Sequence, residues 1–268
     1  HRKENWIYDG IQMFLMMQYI EENNPELKMM GSLSRFKLLK SYNLINLDFN
    51  QQYNYMYMLM ARKNLDQSLS EKKDRLIKFN EQISNKYKAG LTFKYLDSYL
   101  ENDIVIKSLK EFVALNKDLR TSKYDLEYIL KNNSFKEIDW FFEELINSRE
   151  LIDFKFGKVS KTDKTITVNI INKTKTNVPI SFYQLKNDSI VGKVWLENIK
   201  TDSTFTFERK DKLNIKDHKM LLVKLMPFKD NADVKELVDI LEANVYEDTS
   251  KDIDKKLIKE IIKKYEII

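Results

Sequence analysis

The stretch Thr165-Ile166-Thr167-Val168-Asn169-Ile170 decides the fold class, because its apolar and polar residues alternate strictly. A period of two is typical of a β-strand that buries one of its faces. Shorter patterns of the same kind cover 178–182 and 204–207, and turn-forming residues separate them. We therefore predict a small antiparallel β-sandwich over residues 151–226, and Pro227 follows its last residue.

Upstream of this region the apolar residues follow a helical period instead. Between Ile7 and Ile20, ten of fourteen residues are apolar, which predicts a helix buried on most sides. Residues 53–60, rich in Tyr and Met, predict a second buried helix. Further stripes at helical spacing start at Leu76, Val105, Leu126 and Ile138. Residues 1–150 are therefore predicted to form a helical subdomain.

Polar residues near the stripes suggest where these helices begin. Ser68 and Ser70 precede the stripe at Leu76 and are candidate helix caps. Ser134 with Glu137 matches a capping box ahead of Ile138. Downstream, apolar stripes recur over 234–241 and 253–262, which predicts a helical tail over residues 227–268. The predicted fold class is therefore α+β with several domains.

Composition narrows the class of protein. Of the 268 residues, 43% are hydrophobic and 32% charged, as in an ordinary globular chain. The absence of Cys excludes disulfides and thiolate chemistry. The net charge of +5 is spread among acidic residues without an Arg-rich stripe, so we expect no nucleic-acid partner. The longest apolar run, 11–20, is broken by Gln12 and Gln18 and is too short to span a membrane.

Three segments, in this order, carry the candidate chemistry: Trp6-Ile7-Tyr8-Asp9-Gly10-Ile11-Gln12, Tyr87-Lys88-Ala89-Gly90 and Glu137-Ile138-Asp139-Trp140-Phe141-Phe142-Glu143-Glu144-Leu145. Together they resemble the gluzincin aminopeptidase family (the aminopeptidase N type). The corresponding family segments read Trp-Leu-x-Glu-Gly-Phe-Ala, Tyr-x-Lys-Gly and Asp-Leu-x-Trp-Phe-Phe-x-x-Trp. The resemblance extends over about residues 5–150 and, more loosely, into the β-domain. It implies that residues 1–150 are half of a thermolysin-like catalytic domain.

The resemblance implies a zinc-dependent hydrolase that acts on peptides. The third zinc ligand of the family falls on Asp9, and its transition-state tyrosine falls on Tyr87. A catalytic zinc takes three protein ligands and keeps a fourth position for the water that attacks the carbonyl. In this family the other two ligands are the His residues of H-E-x-x-H, whose Glu is the general base.

The family spacing also implies where the missing ligands lie. In the family the third ligand follows the second His by roughly nineteen residues. Counting back from Asp9 therefore places that His about ten residues before His1, and the first His four residues earlier. The two His residues of this chain, His1 and His218, do not fit the spacing. We therefore expect zinc to bind only with an upstream segment, and we expect this chain alone to be inactive. Family relatives are often exported or membrane-anchored, so the resemblance implies an exported or membrane-associated full-length protein.

Two departures from the family pattern keep structural readings open. Asp9 stands where the family has Glu, which shortens the arm by one bond, about 1.5 Å, and Ala89 replaces a Lys. Asp9 can also be an acid near the start of a helix, stabilised by the helix dipole. Tyr87 can equally be the last member of the apolar stripe that starts at Leu76.

The third segment is expected to be structural. Trp140, Phe141 and Phe142 are predicted core anchors, while Glu143 and Glu144 point apart and form a solvated face.

Three functional hypotheses follow. The first is the C-terminal part of an aminopeptidase-type zinc metallopeptidase. The second is a degenerate peptidase fold retained as a binding or scaffold module, which the changes at Asp9 and Ala89 favour. The third is a helical-plus-sandwich interaction protein with accidental similarity, which predicts that the helix of Asp9 lies far from Tyr87.

Overall fold

The computed structural model describes residues 5–31, 47–118, 121–186 and 189–208. Within these ranges the chain folds into helices followed by antiparallel strands, so the predicted α+β class is confirmed. The helices are α1 (Asn5–Asn23), α2 (Gln51–Arg62), α3 (Asn85–Leu100), α4 (Ile104–Asp118) and α5 (Lys123–Asn133). Two π-helices (Asn80–Ser84 and Phe141–Ile146) and a 3₁₀ turn (Lys73–Arg75) accompany them. The predicted tail, His1 and His218 lie outside the described residues, and the domain boundaries remain predictions.

The pairing of α1 with α3 forms the centre of the helical part. Both helices are rich in apolar side chains, and each contributes one glycine to the contact. A Cβ added to Gly90 would lie 2.5 Å from the Met13 Cβ, and one added to Gly10 would lie 2.9 Å from the Ala89 Cβ. The two backbones therefore approach closely because neither glycine carries a side chain.

The helix predicted from the apolar stripe at Leu76 begins later in the chain than predicted. Helical backbone begins at residue 78, so Leu76 precedes the helix and Ser68 and Ser70 do not cap it. These two hydroxyls instead hydrogen-bond to each other at 3.0 Å. Between Phe79 and α3 the backbone forms the π-helix Asn80–Ser84, a bulge often found near functional sites.

The predicted capping box at Ser134 is also wrong. Ser134 ends α5, and its hydroxyl accepts a hydrogen bond from the Lys136 N–H at 3.1 Å. Glu137 alone caps the following helix, because its carboxylate accepts the N–H groups of Ile138 and Asp139. The capping box lies instead at the start of α5, where the Ser122 N–H and hydroxyl donate to the Asp125 carboxylate.

The strands are β1 (Phe154–Lys161), β2 (Thr165–Asn172), β3 (Ile180–Lys186), β4 (Ser189–Leu196) and β5 (Asp202–Glu208). They form one antiparallel sheet in the order β1-β2-β5 and a second from β3 and β4. Along β2, alternate residues are buried, as the pattern that opens with Thr165 predicts. The two sheets meet through Phe182, whose ring stacks on Phe207 at 4.6 Å between centroids.

Four aromatic rings join the helices to the sheets and form what we call the helix–sheet junction: Tyr95, Tyr99, Trp140 and Trp195. Both tyrosines come from α3, and each meets both tryptophans edge-on at 5.2–5.7 Å between centroids. The Tyr95 hydroxyl donates to the Pro179 carbonyl, and the Tyr99 hydroxyl donates to the Glu197 carboxylate at 2.7 Å. These two bonds hold α3 against the β-strands.

The end of α3 is strained. Glu101 has φ 61° and ψ −176°, a backbone region that glycine alone adopts readily, and Asn102 and Asp103 also have positive φ. Lys193 of β4 donates to the Ser98 carbonyl and to the Glu101 carboxylate, both at 3.1 Å. Strand β4 therefore clamps the turn between α3 and α4.

Among the helices described, none is long and apolar enough to cross a membrane.

Candidate functional site

The candidate site lies where α1 and α3 begin. The two helices pack side by side in a parallel sense, because Gly10 contacts Ala89 while Gln18, two turns later, hydrogen-bonds to Asp97 at 3.2 Å. Residues about 77–79 positions apart therefore face each other across the pair. This register brings the segment around Asp9 level with the first turn of α3.

Asp9 is the fifth residue of α1 and is half-buried. It therefore does not occupy the N-cap, and the capping interpretation does not hold. Burial raises the pKa of its carboxyl above the usual value, while the ammonium groups of Lys86 and Lys73 lower that pKa in part. Within the described residues, no hydrogen bond or ion pair restrains the carboxylate.

Tyr87 is the third residue of α3 and is also half-buried. Its ring meets Tyr53 of α2 edge-on at 4.9 Å between centroids and packs on an apolar cluster that includes Met13 and Met17. Burial raises the pKa of the Tyr87 phenol, so the phenol is protonated at neutral pH. The same crowding raises the pKa of Tyr53 to about 12, through burial first and Tyr87 second. Tyr87 is thus both a member of the core, as the structural reading expects, and a protonated donor whose hydroxyl no described residue binds.

Asp9 and Tyr87 lie at the same end of the helix pair. Lys86, which precedes Tyr87, is close enough to Asp9 to shift its pKa. The accidental-similarity hypothesis expected these two positions to lie far apart, whereas their helices are neighbours. The roles assigned to Asp9 and Tyr87 remain predictions.

The described residues do not by themselves fit a catalytic zinc. Among them, no three His, Asp or Glu side chains are arranged to hold a metal ion, and Asp9 is a single candidate ligand. Lys86 and Lys73 add positive charge beside it. A zinc centre at Asp9 therefore requires ligands from outside this set, and zinc remains a prediction.

The third motif segment is structural, as predicted for its aromatic residues. Trp140, Phe141 and Phe142 are all buried in the main core. The sequence did not reveal that the neighbouring acids border a cleft of about 150 Å³ next to the helix–sheet junction. The carboxylates that line it are Glu137, Asp139, Glu143, Glu144 and Glu197. This cleft lies beside Tyr99, near the far end of α3 from Tyr87.

A buried ion pair next to Tyr87 also has no signal in the sequence. Lys88 and Asp66 are 4% and 2% exposed, and the Lys88 Nζ lies 3.6 Å from the Asp66 Oδ2. Burial lowers the pKa of the Lys88 ammonium, and Asp66 partly restores it. A lysine within an amphipathic helix reads as solvent-exposed, so no pattern could have placed this one inside.

Comparisons with known proteins assign no family. No protein-family profile and no curated protein matches the chain. Sixteen chains of solved structures match by fold, and one of them is Legionella pneumophila aminopeptidase A in complex with aspartic acid. The match has a TM-score of 0.39 and 15% identity, and it covers 48% of this chain but 16% of that one. A likeness at this level does not assign an activity, and the chain spans about one sixth of that protein.

Proposed function

We propose that this chain forms one wall of an aminopeptidase-type zinc peptidase site that acts on peptides, with Asp9 as a metal ligand and Tyr87 as a hydrogen-bond donor to substrate. The observation that carries the proposal is the parallel packing of α1 on α3. This packing brings the two segments that resemble the family, far apart in sequence, to one end of a helix pair.

Tyr87 is suited to donate a hydrogen bond during peptide hydrolysis. Attack on a peptide carbonyl produces an oxyanion, and donors that are fixed in advance stabilise it most effectively. The Tyr87 ring is fixed by Tyr53 and the surrounding methionines, and its raised pKa keeps the proton on the phenol. Its hydroxyl is not committed to any other described residue.

Asp9 is suited to a ligand role only if neighbouring groups approach closely. Its arm is one bond shorter than that of Glu, and Gly10 permits α1 to lie close to α3 at this point. The remaining ligands and the general base would come from residues other than those described, and the resemblance implies an upstream segment as their source.

The proposal is tested by zinc titration and kinetics on the protein that contains the segment upstream of residue 1. We expect stoichiometric zinc binding by calorimetry. Compared with the unaltered protein, Asp9→Asn should bind zinc more weakly, and Asp9→Glu should bind it equally or more tightly. Tyr87→Phe should lower kcat for aminoacyl p-nitroanilides by about 10²–10³-fold with little change in zinc affinity. Tyr53→Phe is the matched control, because it removes a neighbouring phenol without removing the proposed donor.

Two results would reject the proposal. The first is an upstream coding region that lacks H-E-x-x-H about 23 residues before Asp9. The second is a Tyr87→Phe variant with the same kcat as the Tyr53→Phe control.

A second candidate is a degenerate peptidase fold that binds peptides or partner proteins without hydrolysing them. The charges beside Asp9 favour it, since Lys86 and Lys73 repel a cation from this carboxylate. Peptide binding without zinc binding would support this candidate, whereas tight stoichiometric zinc binding would reject it.

A further inference from the structure

Four polar side chains are buried together where the chain after α2 meets the π-helix Asn80–Ser84. They are Asp66, Asn80, Ser84 and Lys88, and each is at most 4% exposed. None of them has a part in the function proposed above. Polar groups are rarely buried in this number unless each has a hydrogen-bonding partner.

Two of the four side chains are hydrogen-bonded to the 65–67 segment, which itself carries Asp66. Asn80 Nδ2 donates to the Leu65 carbonyl at 2.7 Å and to the Gln67 Oε1 at 2.9 Å. Lys88 Nζ donates to the Gln67 carbonyl at 3.2 Å. Ser84 lies one turn from both Asn80 and Lys88, on the same face of the helical stretch 80–88.

The direct hydrogen bonds of this group are incomplete. Asp66 Oδ2, Asn80 Oδ1 and Ser84 Oγ are buried, and none of the three atoms makes a hydrogen bond to a described residue. Lys88 has three N–H donors, and one of them is used by the Gln67 carbonyl. The 3.6 Å between Lys88 Nζ and Asp66 Oδ2 is too long for a direct hydrogen bond. A group that accepts from Lys88 and donates to these oxygens would complete their hydrogen bonds.

Charge selects the kind of partner. A cation is disfavoured because the Lys88 ammonium already lies 3.6 Å from the carboxylate oxygen. An anion is disfavoured because Asp66 and Asn80 present acceptor oxygens. A small neutral molecule with both donors and acceptors satisfies all four groups, and a buried water needs two to four such partners.

We propose that Asp66, Asn80, Ser84 and Lys88 form a binding site for internal water, which bridges the Lys88 ammonium and the Asp66 carboxylate. The water donates to Asp66 Oδ2 and Asn80 Oδ1 and accepts from Lys88, and the Ser84 hydroxyl completes the network. The site ties the 65–67 segment to the helical turns that precede Tyr87. It is independent of the proposed function, because it involves neither Asp9 nor zinc.

The direct test is a high-resolution crystal structure of the full chain. We expect a water within hydrogen-bond distance of at least three of the four side chains. Water ¹⁷O relaxation dispersion in solution should also lose at least one long-lived water in the double variant Asp66→Leu/Lys88→Met. A dry site, a metal ion in the site, or an unchanged relaxation profile would overturn the proposal.

A stability comparison tests the same claim without a crystal. Ser84→Ala should raise the unfolding equilibrium constant by about three- to tenfold, because the hydroxyl loses its bond to water. Ser108→Ala is the matched control, since the buried Ser108 hydroxyl donates directly to the Ile104 carbonyl at 2.8 Å. If Ser84→Ala lowers the unfolding constant while Ser108→Ala raises it, the Ser84 hydroxyl has no partner and the water site does not exist.

Discussion

Replacing Gly90 by Ala is expected to destabilise the chain, although alanine normally favours a helix over glycine. The new Cβ would lie 2.5 Å from the Met13 Cβ and 3.3 Å from the Met13 carbonyl carbon. Carbon atoms in favourable contact are about 3.5–4.0 Å apart. Neither Met13 atom can rotate away, so α1 and α3 must separate by roughly 1 Å along their contact.

The magnitude follows from two opposing effects. Overpacking a core typically costs about 1–3 kcal/mol, and a rigid Cβ–Cβ clash belongs near the upper end. Alanine contributes about 1 kcal/mol more than glycine to helix stability. We therefore expect Gly90→Ala to lower the free energy of unfolding by about 2 kcal/mol.

Urea unfolding followed by far-UV circular dichroism measures this change directly. Lys110→Ala, at an exposed position of α4, is the control and should remain within about 0.5 kcal/mol of the unaltered chain. If Gly90→Ala is as stable as the unaltered chain or more stable, α1 and α3 do not pack this closely. The register that places Asp9 level with the start of α3 would then be wrong as well.

Three further predictions concern buried charge and backbone strain. Lys88→Met should destabilise the chain by about 3–5 kcal/mol in urea unfolding because it leaves Asp66 unpaired, and adding Asp66→Leu should recover most of the loss; a double variant no more stable than the single one contradicts this. Burial raises the pKa of the Asp9 carboxyl in the folded chain. The protonated carboxyl therefore contributes fully to stability below the unfolded pKa of about 3.9, and this contribution is lost as the pH rises through the folded pKa. Asp9→Asn should therefore raise the urea midpoint at neutral pH and change it less near pH 4. Equal changes at both pH values would show that burial of the charged carboxylate is not the cause. Glu101→Gly should stabilise the chain by up to about 1 kcal/mol, because it relieves a φ of 61° paired with a ψ of −176°. This change also removes the surface ion pair between Glu101 and Lys193, and Lys193→Ala in the same assay measures that loss by itself.

The helices and strands that bury one continuous face could be predicted from the sequence. The apolar run of α1 and the alternation along β2 both correspond to observed elements. The π-helices could not be predicted, because an i to i+5 hydrogen bond shifts a helical stripe by one residue without changing its residue types. Caps failed for a related reason: Ser134 and Glu137 have the right spacing, but tertiary structure ends one helix at the first and begins the next after the second.

The sequence could supply only the positions of candidate site residues, and their roles stay predictions. The family resemblance singled out Asp9 and Tyr87, and the helix packing explains how they come to the same end of one pair. Nothing in the residue pattern could show that Lys86 and Lys73 lie near Asp9, or that Lys88 points inward to Asp66. Those relations depend on how loops return the chain to α3, which periodicity does not record.

The aromatic block at the helix–sheet junction gives this protein an internal optical probe. Two of its three tryptophans, Trp140 and Trp195, lie within 5.2–5.7 Å of the same pair of tyrosines, so light absorbed by those phenols passes efficiently to the indoles. Trp6 lies apart, stacked on Phe93 at 6.2 Å between centroids. In a Trp6→Phe variant, the wavelength and anisotropy of tryptophan emission would report on whether helices and strands remain docked. The rate at which the two layers separate could then be measured independently of the loss of helix.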